Sequence, residues 1–343
     1  MTKYLGLSEQ TLVFSRLHVS DIVNQKNLLV KSELFHHIGH GVVSVIQQTP
    51  LTPDALVLFS YHLRKRTGKF QKEFPDNGSV PWRTGMVVKG DHYSMVWTSN
   101  LAEARPFDSK QQSELIFKSF CAFMDRYNLN VRKNLVRTWI YVRDIDNHYA
   151  GMVEARKVFF NSQGLCSESR FVASTGIEGR SAETGAIVSM DSLSLGNIDE
   201  EQIVTMDALE HLPRTLHYGV TFERGLRIRF GDRSHLLISG TASIDEDGKI
   251  AHEGDIEKQT HRTIDNVEAL LRGQNAALND MAYALCYLRN PKDYECVEEI
   301  LNARLPGNIP LIVVEAAVCR PAWLLEMEGV GIIADANPFP PFM

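Results

Sequence analysis

The sequence predicts an α+β protein built from two related halves, each a mixed sheet with helices on one face. Residues 141–144 (Tyr-Val-Arg-Asp) return as residues 287–290 (Tyr-Leu-Arg-Asn). Each copy is followed by an amphipathic stretch and then by two apolar strands. The length of 343 residues, 44% of them hydrophobic, is sufficient for two sizeable cores. A repeat of this length indicates two globular halves rather than a solenoid.

The first half is expected to span residues 1–195. Residues 1–110 show the weakest secondary-structure patterns. Asp108 resembles a helix N-cap, followed by apolar residues at helical spacing, and Gly164 resembles a C-cap. The helices are predicted at about 109–127 and 149–163. The strands are predicted at 41–48, 55–62, 86–101 (a hairpin), 135–142, 170–177 and 186–195.

Residues 196–214 are acidic and lack a strong strand pattern, so they are interpreted as the linker between the halves. The second half is expected to span residues 215–343. Its helices are predicted from Asp255 and at 294–305. Its strands are predicted at 218–222, 226–230, 236–244, 282–289, 311–318 and 324–333.

Composition argues against several classes of partner. The net charge of −6 and the isoelectric point near 6.1 offer no electrostatic reason to expect nucleic acid or an anionic membrane. No apolar stretch approaches the ~20 residues of a membrane-spanning helix. The N-terminus lacks a signal-peptide pattern, and the five cysteines show no CxxC spacing. We therefore expect a cytoplasmic protein with reduced thiols.

Motifs for cofactors and metals are not found. There is no GxGxxG, Walker or HExxH motif, so neither a cofactor nor a metal is expected. His36 and His40 have HxxxH spacing, but Gly39 and Gly41 argue against a helix there. We interpret this cluster as structural or exposed rather than as a metal site.

Glu326 is the candidate catalytic residue. Glu326 and Glu328 alternate with apolar residues, which places both on one face of a strand, about 7 Å apart. In the repeat alignment the Glu326 position holds Ser189, so the fold does not require a charge there. These glutamates could simply keep a strand face soluble. A partly buried carboxyl beside a second carboxylate would instead hold a proton near neutral pH.

Other candidate residues lie near the predicted site. Cys319 and Arg320 fall in the short connection before the strand of Glu326, and each is individually more typical of a core or turn residue. An arginine near a candidate acid suits an anionic substrate. The remaining candidates surround strand and helix starts in the two halves: Tyr149, Arg156, Arg170, Tyr218 and Arg224.

Several strings together resemble a known family. The second half resembles the Rid (YjgF-like, chorismate mutase-like) fold, and the whole chain is similar to the chorismatases, which join two such halves. The strings that carry this resemblance are residues 137–146, 173–179, 218–225, 239–244 and 319–329. The resemblance covers about residues 130–335, whereas 1–110 match only in length and position.

The resemblance implies an enzyme that cleaves chorismate and releases pyruvate from its enolpyruvyl ether, without metal or cofactor. It implies that Glu326 protonates the ether's methylene group and that the arginines bind the dianionic substrate. It also implies a monomer, because the repeat supplies within one chain the interface that Rid trimers form between subunits. Two alternatives stay open. A Rid-type imine deaminase is disfavoured because Leu311 stands where that family has an arginine, and a non-catalytic small-ligand-binding protein is the other.

The product is not decided by the resemblance. Cys319 is similar to the hydroxybenzoate-forming chorismatases, whereas Ala242 is similar to those that hydrolyse chorismate to a dihydroxycyclohexadiene carboxylate. We favour 3-hydroxybenzoate, with 4-hydroxybenzoate and the hydrolysis product as alternatives.

Overall fold

The computed structural model describes residues 7–64, 70–75, 81–213 and 221–343. The strands are β1 (Leu12–Val19), β2 (Val42–Gln47), β3 (Leu56–His62), β4 (Gln71–Glu73), β5 (Gly85–Lys89), β6 (Ser94–Ala102), β7 (Leu135–Val142), β8 (Ala173–Glu178), β9 (Arg180–Ser181), β10 (Val188–Gly196), β11 (Ile203–Thr205), β12 (Gly225–Arg229), β13 (Arg233–Ala242), β14 (Met281–Leu288), β15 (Leu311–Glu315) and β16 (Leu325–Ala334). The helices are α1 (Ile22–Val30), α2 (Glu33–Ile38), α3 (Ser109–Arg126), α4 (Val131–Asn134), α5 (Ile145–Ser162), α6 (Ile256–Arg272) and α7 (Tyr294–Arg304).

Two six-stranded sheets repeat one topology, which confirms the predicted fold class. The first-half sheet has the order β4-β5-β6-β10-β7-β8 and the second-half sheet has the order β11-β12-β13-β16-β14-β15. In each sheet only the last pair, β7–β8 or β14–β15, is parallel. A long helix precedes the fourth strand along the chain and a second helix follows it, in both halves. Helices α3 and α5 pack together on the first-half sheet, as α6 and α7 do on the second.

Strand register reproduces the repeat seen in the sequence. Ser189 of β10 pairs with Tyr141 of β7, and Glu326 of β16 pairs with Tyr287 of β14. Ser189 and Glu326 therefore occupy equivalent positions in the two halves.

The predicted helix boundaries follow from local chemistry. The side chain of Asp108 accepts a hydrogen bond from the backbone N–H of Gln111, and Gln111 completes a capping box. Gly164, with φ of +74°, follows the C-cap of α5. Helix α6 begins after Asp255, which accepts from the N–H of Lys258.

A third sheet was not predicted. Strands β3, β1, β2 and β9 form a four-stranded N-terminal sheet in that order, with β1 and β2 parallel. All eight residues of β1 are buried, including Arg16 and His18, so neither face carries an exposed polar row that would reveal a strand. The expectation of a single sheet from the first 195 residues was wrong in this respect.

The prediction that His36 is not on a helix was also wrong. His36 and His37 lie on α2, which ends at the C-cap Gly39, and His40 follows it. Glu9 accepts from His37 Nδ1 at 3.3 Å and lies 3.2 Å from Nε2 of His40. Within the described residues, no three His, Cys, Asp or Glu side chains are grouped as a metal site requires.

Some boundaries differ from the predictions in the linker region. Residues 196–214 include β11, which pairs with β12, so this segment contributes to the second-half sheet as well as connecting the halves. Thr221 and Phe222 are not in a strand, and the rest of the predicted strand 218–222 lies outside the described residues. The predicted domain boundaries stay a prediction.

The two halves meet where β8 lies beside β13. The N–H of Ser174 donates to Oγ of Ser239 at 2.9 Å, and the N–H of Gly240 donates to Oγ1 of Thr175 at 3.0 Å. The largest apolar core is continuous through all three sheets, with Phe14, Trp139 and Leu237 among its members. This continuity fixes the orientation of the halves around the cavity described next. None of the described helices is long and apolar enough to cross a membrane.

Candidate active site

A cavity lies between the two halves and, together with its solvent-open mouth, contains about 560 Å³ of empty space. Helix α5 and strand β8 form one wall, and β13, β16 and the connection before β16 form the other. Seven of the nine residues that the sequence singled out line it: Tyr149, Arg156, Arg224, Ala242, Cys319, Arg320 and Glu326. Residues from both halves thus meet in one pocket, because β8 is placed beside β13.

The two other predicted residues do not contribute to the described cavity. Arg170 is buried, but its guanidinium donates to backbone carbonyls of Phe171, Arg132 and Leu135. These carbonyls occupy donors of the guanidinium and hold the chain before β8, and the selection of Arg170 as a substrate-binding residue stays a prediction. Tyr218 lies outside the described residues.

Glu326 is a buried acid on the cavity wall. It is 5% exposed, and its Oε1 has no hydrogen-bond partner among the described residues. Burial raises the pKa of Glu326 to about 8, the negative charge of Glu328 acts in the same direction, and Arg137 and Arg224 oppose them. The carboxyl group is therefore mostly protonated at neutral pH, as an acid catalyst must be.

Glu328 has the opposite environment on the same strand. Its Oε1 accepts from Trp139 Nε1 at 2.7 Å, and its Oε2 accepts from Arg137 Nη2 at 2.7 Å and from the hydroxyl of Thr175. Charge-assisted bonds of this kind stabilise an ionised carboxylate in a buried site. One strand face thus presents an acid with a raised pKa and a second carboxyl group that accepts from three donors.

Three arginines bring positive charge to the cavity. The Cζ atoms of Arg156 and Arg224 each lie 5.8 Å from the centroid of the Phe222 ring. Arg156 is 1% exposed, and its Nε and Nη2 have no hydrogen-bond partner among the described residues. Arg320 stacks on Trp323, with Cζ 4.9 Å from the ring centroid. Since a buried guanidinium with unsatisfied donors is costly, this wall favours an anionic ligand.

Tyr149 and Cys319 form a polar contact at the edge of the cavity. The Tyr149 hydroxyl and the Cys319 thiol influence each other's pKa, and burial raises the pKa of both groups. The pKa of Cys319 rises to about 12, with the charge of Glu326 as the second cause. The thiol is therefore protonated at neutral pH, which is unsuitable for a nucleophile and suitable for shaping the pocket.

Several site residues were missed by the sequence analysis. Phe222 and Trp323 supply the rings on which the arginines lie, and Thr175 joins β8 to Gly240 and Glu328. Arg137 and Trp139 alternate on β7, so period two places them on one face. The sequence could have predicted that Arg137 and Trp139 share a face of β7. No local pattern indicates that this face contacts Glu328.

Comparisons with known proteins agree with this architecture. The family model described as Endoribonuclease L-PSP matches residues 229–333. A RutC family protein of Pyrococcus abyssi is 32% identical over 97 residues, which cover 28% of this chain and 76% of that protein. The second half alone is therefore similar to most of the length of a smaller protein.

Other relatives match over a longer part of the chain. A chorismatase of Streptomyces rapamycinicus is 23% identical over 341 residues, covering 92% of this chain and 96% of that protein. A 3-hydroxybenzoate synthase of Streptomyces hygroscopicus is 27% identical over 219 residues, 57% of this chain and 63% of that protein, which is less than two thirds of its length.

A crystal structure of a chorismatase has the same fold, with a TM-score of 0.69, 16% identity, and 94% of this chain and 93% of that chain covered. Over almost its whole length the chain is thus similar to a chorismatase and shares the fold of one, and its second half matches the L-PSP family model.

Proposed function

We propose that the protein is a chorismate-cleaving enzyme that releases pyruvate, with Glu326 as the general acid. The observation that carries the proposal is the buried Glu326, whose pKa is raised and whose Oε1 has no hydrogen-bond partner in the described part of the chain, at a cavity lined by arginines. The chorismatase and 3-hydroxybenzoate synthase among its relatives support chorismate as the substrate.

The acid suits the chemistry of an enol ether. The methylene carbon of the enolpyruvyl group is a weak base, so a neutral carboxylic acid held beside it is the useful donor. Transfer of the proton converts the methylene to a methyl group and leaves an oxocarbenium-like carbon. The resulting Glu326 carboxylate carries the charge that balances this cation.

The arginines suit the two carboxylates of chorismate. Arg156 and Arg224 both lie against Phe222, whereas Arg320 lies on Trp323, so positive charge is available at two places. A dianion bound between them would satisfy the open donors of Arg156. Binding at both ends would hold the ether close to Glu326.

The product depends on what attacks the cationic carbon. Attack by water consumes one water molecule and gives pyruvate and a dihydroxycyclohexadiene carboxylate. Attack by the substrate's own hydroxyl consumes none overall and leads to pyruvate and a hydroxybenzoate. We propose 3-hydroxybenzoate, since Cys319 lines the cavity beside Glu326, with 4-hydroxybenzoate and the diol as the alternatives.

The test is incubation of the purified protein with chorismate. Pyruvate is followed by its reduction with lactate dehydrogenase, and the ring product is identified by chromatography against the three standards. We expect stoichiometric pyruvate and a hydroxybenzoate. Absence of pyruvate from folded protein would refute the function. Light scattering on the same sample tests the expected monomer, and a stable trimer would contradict it.

A further inference from the structure

A buried hydrogen-bond network crosses from the first half to the second behind the cavity. All three donors to Glu328 belong to the first half: Arg137 and Trp139 on β7 and Thr175 on β8. The Arg137 and Glu328 side chains are 2% and 0% exposed. Thr175 also accepts from Arg137 at 2.7 Å and from the N–H of Gly240 at 3.0 Å. The network therefore ends at the glycine that touches Glu326.

Glu326 receives no comparable support. Its Oε1 has no partner within the described chain, although the residue is buried as Glu328 is. Two carboxyl groups about 7 Å apart on one buried strand face do not both ionise readily, because each charge opposes the other. Donors to one member of such a pair determine where the remaining proton resides.

We infer that the first half, through Arg137, Trp139 and Thr175, fixes Glu328 as the ionised member of the pair and so leaves the proton on Glu326. These three are positioning residues, since they act through Glu328. The inference rests on the proposed function for the use of the proton, whereas the location of the proton is a property of the protein alone. The half without a catalytic carboxylate thereby prepares the acid of the other half.

Other charged and titratable groups also act on Glu326, and the variants proposed below leave most of these groups unchanged. Arg224 lowers its pKa, and so does Arg137 directly, while Glu326 itself raises the pKa values of Cys286, Cys319 and Tyr149. Arg156 and Arg320 act on this cluster from the cavity walls through Cys319. Within the described residues, Glu328 is the carboxylate whose charge raises the pKa of Glu326.

The test is a carbon NMR titration of protein labelled at glutamate Cδ, without substrate. The Glu326 resonance is assigned by its absence in Glu326→Gln, and we expect it to titrate near pH 8 in the wild type. Glu328→Gln should lower that midpoint by about one pH unit or more. Trp139→Phe, which retains an aromatic ring and removes the N–H donor, and Thr175→Val should shift it in the same direction, with the proton moving to Glu328.

Asp191→Asn is the matched control. Asp191 occupies the position of Glu328 in the first half and is paired with Arg16 at 2.9 Å. This variant removes a similar buried carboxylate without removing any hydrogen bond of the network. The Arg16 guanidinium that it releases lies 4.5 Å from the centroid of the Trp139 ring, and its charge favours an ionised Glu328, so the Glu326 midpoint should not fall.

A Glu326 midpoint that is the same in the wild type, Glu328→Gln and Trp139→Phe would overturn the inference. If Glu328→Gln does not fold because Arg137 loses its partner, Trp139→Phe and Thr175→Val decide the question. A wild-type protein that titrates as expected but releases no pyruvate would refute the proposed function and leave this inference standing.

Discussion

Gly240 lies against the carboxyl group of Glu326, so closely that a Cβ atom at residue 240 would sit 2.7 Å from Cδ of Glu326. The backbone cannot easily retreat, because the N–H of Gly240 donates to Thr175 across the interface. The Glu326 carboxyl group can therefore occupy its position only because residue 240 has no side chain.

Gly240→Ala should displace that carboxyl and reduce pyruvate release by about 10²-fold, since a shift of about 1 Å in a reacting group has effects of this size. Gly307→Ala is the control, because a Cβ there meets nothing within 4 Å. Full activity of Gly240→Ala would show that the acid tolerates movement or lies elsewhere.

Glu326→Gln should retain the fold and lose about 10²- to 10⁴-fold in the rate of pyruvate release, the usual contribution of general acid catalysis. Glu328→Gln should lose less at neutral pH, since it leaves the donor in place. Initial rates, together with circular dichroism to confirm folding, check both. Wild-type rates for Glu326→Gln would refute the assignment.

The raised pKa of Glu326 also predicts how stability depends on pH. The ordinary pKa of a glutamate side chain is 4.5, and the unfolded chain releases the proton of Glu326 near this pH. The folded protein retains the same proton up to a pH of about 8. Because the native state then binds more protons, this group's contribution to stability is full below 4.5 and is lost as the pH rises towards 8. Glu326→Gln should therefore gain in melting temperature relative to wild type from pH 5 to pH 8, as measured by calorimetry. The same difference in melting temperature between variant and wild type at pH 5 and at pH 8 would contradict the assigned pKa.

Arg156→Met should weaken substrate binding and leave the fold at least as stable. Nε and Nη2 of the buried guanidinium have no hydrogen-bond partner among the residues that the structure describes, and an apolar side chain of similar length avoids the cost of burying them. We expect KM for chorismate to rise by about 10-fold or more, as for the loss of a charge-assisted contact. Arg132→Gln, at an exposed pair with Glu200, is the control. An unchanged KM would exclude Arg156 from binding.

Cys319→Val should change the product ratio more than total turnover. Valine fills a similar volume but is branched and cannot form a hydrogen bond, so we expect less hydroxybenzoate relative to diol. The ratio is measured by chromatography, with pyruvate as the common reference. Complete loss of pyruvate release in folded protein would instead indicate a catalytic thiol. An unchanged product ratio would mean that another residue determines the product, and Ala242 would be the next position to test.

Much of the repeated architecture was predictable because local patterns of apolar and capping residues indicate its helices and strands. The helix that begins after Asp108, the turn at Gly164 and the strand of Glu326 follow from caps and alternation. The N-terminal sheet was missed because β1 is buried on both faces and contains Arg16 and His18, so alternation is absent.

The sequence by itself determined the two-fold repeat and, through the contrast of Glu326 with Ser189, the position that bears the candidate acid. Only the tertiary structure decided what surrounds that acid. Arg137 and Trp139 are 191 and 189 residues from Glu328, and no local pattern encodes their meeting. Arg170 resembles the other arginines in sequence, yet its guanidinium donates to backbone carbonyls. Protonation and binding depend on burial and on neighbours far along the chain, which are set only when the sheets pack.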